Sequence, residues 1–524
     1  MTISPQNLRE QHRLASDALS RAELAVDTGA NIYAQLGVSD AQLKQVRRGL
    51  IQKARTQLAF VADTALKTLE PAGLPGLPRG RDDRADGGAL SAGQAALASA
   101  WSNLAEFETL RAAKDASIAA YRKALEFAPD DLTANAQLAD LLESRHDLAN
   151  AKMHAERALR VDANHFTASM ALARVLMRQD QFAQAERAAM NAAKTGAGAD
   201  DRALAWALAG EARDRRGETA AAFAAFTQAN TLMLQRYGQL QEASHPAHPA
   251  NVRRLTEFVA RAPAIGAATP FSTPAPAFLI GFPRSGTTLA EQILSSHSGV
   301  TCLGETEYLF AALSVVLRDG ALLDRVANLS QAEIETVRAA YQRVVQADHP
   351  EAAGKLIVDK HPLHIVLLPV INRIFPDAKI IFTQRDPRDV VLSCYQQCFG
   401  MNVATAQFLE LDRSAAYYDA VMELMLACRE KLNLDLLQVE YRDIVADLEK
   451  EARQMAEFLG LTFEPGMLRY DETARGRTIS SASARQVINP IYDRSLARWR
   501  RYASELAPVL PLLNKWARRL GYEE

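Results

Sequence analysis

The chain has 524 residues, enough for more than one domain, and its 48% hydrophobic and 23% charged residues are the balance of a soluble protein with ample core material. A formal net charge of −2 gives no argument for an overall nucleic-acid-binding or membrane-binding surface and leaves room for a local basic pocket. Four cysteines, Cys302, Cys394, Cys398 and Cys428, are too few for a disulfide framework and lack zinc-finger spacing, so buried thiols and no metal are expected.

In chain order, the first stretch, MTISPQNLREQHRLASDALSRAEL, carries charges throughout and lacks the apolar segment of a signal peptide. No apolar run reaches the roughly 20 residues of a membrane span, so a cytoplasmic protein is expected. Residues 5–70 read as helix, and 71–94, dense in Gly, Pro and charge, as a surface loop. Residues 1–96 are thus an N-terminal helical region.

Self-similarity follows. Segments starting at Asn103, Gln137 and Ala171 are 34 residues apart. Leu104, Leu138 and Leu172 coincide, as do Ala105, Ala139 and Ala173, then Tyr121, Ala155 and Ala189, and finally Ala124, Ala158 and Ala192. Alanines let two helices approach closely, and larger residues such as Phe107, Leu141 and Leu142 fill the space between pairs. A fourth unit from Ala205 is offset and turns at Gly217. Over residues 97–236 this resembles the tetratricopeptide repeat, and Trp101 and Leu104 reproduce that repeat's opening W-x2-L. Such an all-α solenoid presents a groove for a peptide or partner protein, while packing within the chain or a homodimer is the competing use. Residues 237–276, with SHPAHPA and APAIGAATPFSTPAPA, read as a linker.

From 277 to 524 the texture changes. AFLIGF (277–282), KLIVDK (355–360), AKIIFTQR (378–385) and DLLQVEY (435–441) read as strands separated by amphipathic helices. That alternation predicts an α/β domain with a parallel sheet, whose ligands sit at the carboxyl ends of the strands. The fold class is therefore multidomain, an all-α solenoid followed by this α/β domain.

Two turns of the α/β domain carry anion-binding chemistry. Gly281-x4-Gly286-Thr287-Thr288 has a P-loop outline with Thr287 where the P-loop has its Lys. Its amides from Arg284 to Thr288 open a helix, and Arg284 adds a planar fork of donors. In FTQRDPRDVVLSCYQQ, Arg385 leaves a strand and Ser393, eight residues on, lies two turns into a helix, so both reach one anion. Asp386 caps that helix, and Arg388 either serves the site or faces solvent.

Together these residues resemble the sulfotransferases that use 3′-phosphoadenosine-5′-phosphosulfate, over about residues 277–502. The resemblance implies a P-loop-like sulfotransferase fold in which Pro283, Arg284, Ser285, Gly286, Thr287 and Thr288 hold the 5′-phosphosulfate and Arg385 and Ser393 the 3′-phosphate. The Arg-type loop is similar to the tyrosylprotein branch, and the architecture to bacterial-type chains that join such repeats to such a domain. It further implies Glu305 as the base, at the same offset of 21 residues from Arg284, with Glu307 competing, and Lys360 as a cation for the transferring group. Tyr441 on the adenosine, Ser483 near the leaving group and Arg498 fifteen residues later are further implied contacts. His297 is read as packing the loop's helix; Asp359 and His361 stay unassigned. The implied product is adenosine 3′,5′-bisphosphate, with no metal, and the acceptor is a hydroxyl on a peptide tyrosine, a sugar or a small molecule. A nucleotide-hydrolysing or kinase-like domain and an inactive repeat scaffold are the competing readings.

Overall fold

A computed structural model describes residues 5–24, 40–61, 83–243, 245, 247–261, 271, 273–314, 328–475 and 495–522. The chain forms two compact units, Met1–Leu232 and Met233–Glu524.

The first unit is helical: α1 (Pro5–Leu24), α2 (Asp40–Phe60), α3 (Asp83–Leu110), α4 (Lys114–Phe127), α5 (Leu132–Ser144), α6 (Leu148–Val161), α7 (Phe166–Arg178), α8 (Phe182–Thr195), α9 (Ala199–Arg215) and most of α10 (Thr219–Tyr237), which runs past the boundary at Leu232. Consecutive helices pack together: α3 with α4, α5 with α6, α7 with α8 and α8 with α9. Alanines are contact points, three of them (Ala139, Ala155 and Ala158) from the aligned set: Ala139, Ala155 and Ala171 form one buried cluster and Ala136, Ala158 and Ala168 another. The 34-residue period also appears as charge. Arg174 pairs with Asp140, 34 residues back, and Arg178 with Glu143, 35 back, at 2.7 Å. Asp131 and Asp147 cap α5 and α6 by accepting the amides of Ala134 and Asn150.

Two local readings change. Helix α3 begins at Asp83, inside the stretch read as loop, despite Gly87 and Gly88. Its downstream turns bury Leu97, Trp101 and Leu104, and that burial supports a turn of poor helix formers ahead of it. Part of the stretch read as linker is also helical: α11 (Pro249–Arg261) buries Val252, Leu255 and Val259 and packs on the helix Leu411–Lys431 of the second unit. The 3–4 spacing of those three residues is the signal that the surrounding prolines masked.

The second unit holds a five-stranded sheet of β1 (Ala277–Gly281), β2 (Val300–Cys302), β3 (Leu356–Lys360), β4 (Lys379–Gln384) and β5 (Asp435–Glu440). Its order is β2-β3-β1-β4-β5, with every pairing parallel. Four strands match the sequence reading; β2, three residues long, is too short for its pattern to be read. One face packs Leu279, Val358, Ile381 and Val439 against α12 (Thr287–Ser295) and the helix Leu448–Leu459. On the other, Phe278 meets Phe375, and Phe282 meets Tyr418 of the helix Leu411–Lys431. Because the chain leaves β1 for one side of the sheet and later crosses to β4 on the other, the carboxyl ends of β1, β3 and β4 lie side by side, the place where such sheets bind ligands.

Candidate active site

The loop Phe282–Gly286 leaves β1 and turns at once into α12. Two residues take left-handed backbone angles: Gly286 at φ 108°, the residue that caps α12, and Arg284 at φ 71°. A non-glycine residue there is strained, and such strain concentrates at functional sites. The Ser285 amide donates to the Phe282 carbonyl at 3.1 Å and closes the turn. Its hydroxyl lies 2.8 Å from the Thr383 hydroxyl on β4, both buried. Ser285 therefore ties the loop to the sheet, and its hydroxyl is turned toward β4 because the tight turn points it inward. Pro283 accepts the Cys394 thiol through its carbonyl at 3.4 Å, which accounts for that cysteine as a buried structural thiol. Thr287 and Thr288 are buried in the first turn of α12.

The structure joins the two turns expected to bind anions. Arg284 Nε donates to Ser393 Oγ at 2.9 Å, and Arg385 Nη1 donates to the Arg284 carbonyl at 3.3 Å. Arg385 also donates to the Ser495 carbonyl and lies 3.6 Å from Asp389, which burial pushes toward its protonated form and Arg385 pulls back. The Nε of Arg385 is buried with no hydrogen-bond partner among the described residues. A buried, unsatisfied guanidinium donor beside a strained loop is what an anion site requires. Tyr441 covers the cradle: its ring centre is 5.0 Å from the Arg385 guanidinium carbon, and its edge is 2.9 Å from where a Cβ on Gly286 would stand.

Arg388 does not face solvent. It is buried, donates to Asp386 at 2.9 and 2.8 Å, and stacks 4.0 Å from the Trp499 ring centre, because a buried cation needs a partner that the neighbouring cap residue supplies. Arg498 sits just past Ser495, with its guanidinium carbon 5.9 Å from the Tyr502 ring centre. Ser483 lies outside the described residues.

The second cluster stands at the end of β3. Lys360 is 1% exposed, and its ammonium donates to Glu305 Oε1 at 2.6 Å while lying 3.0 Å from Glu291 Oε2. Burial alone would strip its proton; the carboxylates of Glu291 and Glu305 outweigh burial and hold it charged above the ordinary lysine range. Glu291, on α12, was missed by the sequence reading; its i+4 spacing from Thr287 was the available signal. Glu307, the competing carboxylate, points instead at His361, 3.3 Å away. Asp359 lies on the opposite face of β3, fully buried, accepting from Tyr341 Oη at 2.8 Å, and burial raises its carboxyl to about 7. His297 packs at the far end of α12 against the Thr462 carbonyl, 2.8 Å away. Among the described residues no cluster of His, Cys, Asp and Glu is arranged to hold a metal ion, and no helix is long and apolar enough to cross a membrane.

The arrangement offers a cationic cradle spanning two turns, a charged lysine and a carboxylate with access to solvent. Residues 276–465 match the sulfotransferase family. An uncharacterized protein of Aquifex aeolicus is 30% identical over 257 residues, 47% of this chain and 33% of that protein. A putative protein-tyrosine sulfotransferase of Caenorhabditis briggsae is 29% identical over 47% of this chain and 88% of its own length. Protein-tyrosine sulfotransferase 1 of Danio rerio is 27% identical over 47% of this chain and 72% of its own length. The chain therefore spans a third of the first of these relatives and most of the other two.

Proposed function

We propose that this chain is a sulfotransferase, moving a sulfuryl group from 3′-phosphoadenosine-5′-phosphosulfate to an acceptor hydroxyl. The observation that carries this is the bonded pair Arg284–Ser393, which makes one cradle of two anion-binding turns inside the stretch that matches the sulfotransferase family. A donor with phosphate at both the 3′ and 5′ positions needs two such turns; a nucleoside triphosphate needs one, with a Lys at Thr287.

Arg284 and the α12 N-terminus neutralise the 5′ end, Arg385 and Ser393 the 3′-phosphate, and Tyr441 lies against the cradle that takes the nucleotide. As the acceptor oxygen bonds to sulfur, the bond from sulfur to the 5′-phosphate oxygen breaks, and adenosine 3′,5′-bisphosphate leaves with that electron pair. Glu305 takes the hydroxyl proton, and Lys360 offsets the charge on the sulfuryl oxygens. Tyrosine in a peptide is the acceptor this reading favours, supported by the relatives named for that activity. The helices of residues 97–236 are read as a tetratricopeptide-type solenoid that docks the acceptor or a partner, supported by the 34-residue recurrence of alanines and ion pairs.

Calorimetric titration with adenosine 3′,5′-bisphosphate tests the assignment, with ATP and GTP plus Mg²⁺ as controls. Binding of the bisphosphate without metal, tighter than either triphosphate, is expected. Mg²⁺-dependent triphosphate binding with none of the bisphosphate overturns it. Glu305→Ala is expected to lower turnover by about 10²–10⁴-fold and to leave bisphosphate binding intact.

A further inference from the structure

Lys360 is held by two carboxylates in different situations. Glu305 sits in the loop after β2 with a side chain 29% exposed; Glu291 sits on α12 with a side chain 7% exposed. A base must be able to leave its partner and meet the acceptor, which Glu305 can do. Were it the sole partner, its departure would leave a buried ammonium unpaired, a state that sheds its proton. Glu291 is fixed one turn past the N-terminus of the helix that opens the anion cradle. Side chains on a helix lean toward its N-terminus, so a carboxylate there holds a cation near the cradle end.

We propose that Glu291 is a positioning residue that anchors the Lys360 ammonium, charged and beside the donor cradle, so that Glu305 is free to exchange Lys360 for the acceptor hydroxyl. The exchange of Glu305 rests on the sulfotransferase reading; the anchoring itself does not. Lys360 hydrogen-bonds Glu305 at 2.6 Å and lies 3.0 Å from Glu291 Oε2 in an ion pair, so the closer contact is with Glu305, and it is burial that marks Glu291 as the fixed partner. The two are therefore unequal: losing Glu305 leaves Lys360 paired in place, and losing Glu291 leaves it dependent on a half-buried loop residue.

The test follows the charge of Lys360 in the full chain without any acceptor. Protein labelled with ¹³C at the lysine ε-carbon is titrated by NMR, with Lys360→Arg identifying the resonance. Glu305→Ala is expected to leave the Lys360 titration close to wild type, Glu291→Gln to move it to lower pH, and Glu291→Asp, which keeps the charge, to restore it in part. Equal shifts from Glu305→Ala and Glu291→Gln, or a larger one from Glu305→Ala, overturn the proposal. Adenosine 3′,5′-bisphosphate binding is the companion measurement, since that ligand lacks the group Lys360 would serve. Unchanged affinity in Glu291→Gln is expected; loss of binding in that variant alone shows that Glu291 shapes the cradle itself and also overturns it. Failure of the wild type to bind the bisphosphate defeats the sulfotransferase reading and leaves the NMR comparison to decide the anchoring.

Discussion

Gly286 meets two constraints at once, a φ of 108° and the Tyr441 edge 2.9 Å from any Cβ it might carry. Gly286→Ala is expected to weaken bisphosphate binding by about 1–3 kcal/mol through backbone strain alone. Calorimetry reads this directly, and wild-type affinity in the variant would remove Gly286 from the cradle. Asp359 supplies a pH prediction away from the cradle. In the unfolded chain its carboxyl releases its proton near 3.8, whereas the folded protein holds it to about 7. Between those values the folded state binds more protons, so this group's contribution to stability falls as pH rises, by about 1.4 kcal/mol per pH unit. Asp359→Asn keeps an acceptor for Tyr341 and removes the titration. Denaturant unfolding is expected to show the variant gaining on wild type from pH 4 to pH 7, with a flat difference counting against this account. Arg284, Arg385 and Ser393 stood out because each lies at a strand end or in the first helical turns, in a pattern with a chemical reason, and Glu305 and Lys360 through the family resemblance; the structure brings Arg284 to Ser393 and Glu305 to Lys360. Glu291 and the inward turn of Ser285 were not, since the partners that define them, Lys360 and Thr383, are about seventy and a hundred residues away in the chain.

Among elements, the helices of the first unit depend on small residues at their contacts. Ala139 is fully buried among Ala155, Ala171 and Leu172. Ala139→Leu is expected to destabilise that unit by about 1–3 kcal/mol, because close-packed helices cannot open for three extra carbons. A scanning-calorimetry transition as stable as wild type would show that the contact has slack. Repeats of this kind are readable because the period is local and recurs. Helix α11 escaped the reading for the opposite reason: its apolar stripe of Val252, Leu255 and Val259 is short and lies between Pro-rich stretches, and its stability comes from the helix Leu411–Lys431 it packs on. Strand β2 escaped because three residues form a strand only where β3 offers its edge.

At the scale of the molecule, each unit owns a core. Leu97, Trp101, Phe107 and Leu138 belong to one, and Leu279, Ile293, Ile381 and Val439 to another. Residues 233–524 expressed alone are therefore expected to fold and to bind adenosine 3′,5′-bisphosphate as the full chain does. An unfolded circular-dichroism spectrum, or a folded fragment that no longer binds, would show that the cradle needs residues 1–232.

The sequence by itself determined what is local or periodic: the helical first half with its 34-residue recurrence, four of the strands, and the two turns suited to anions. Those follow from backbone preferences and from the spacing of apolar and small residues, which act over a few residues at a time. Tertiary structure decided which of those residues meet. It placed Arg284 on Ser393, set Lys360 between Glu291 and Glu305, and turned Arg388 away into a pair with Asp386. Such choices depend on strand order and on the need of each buried charge for a partner, and both are set only when distant segments pack.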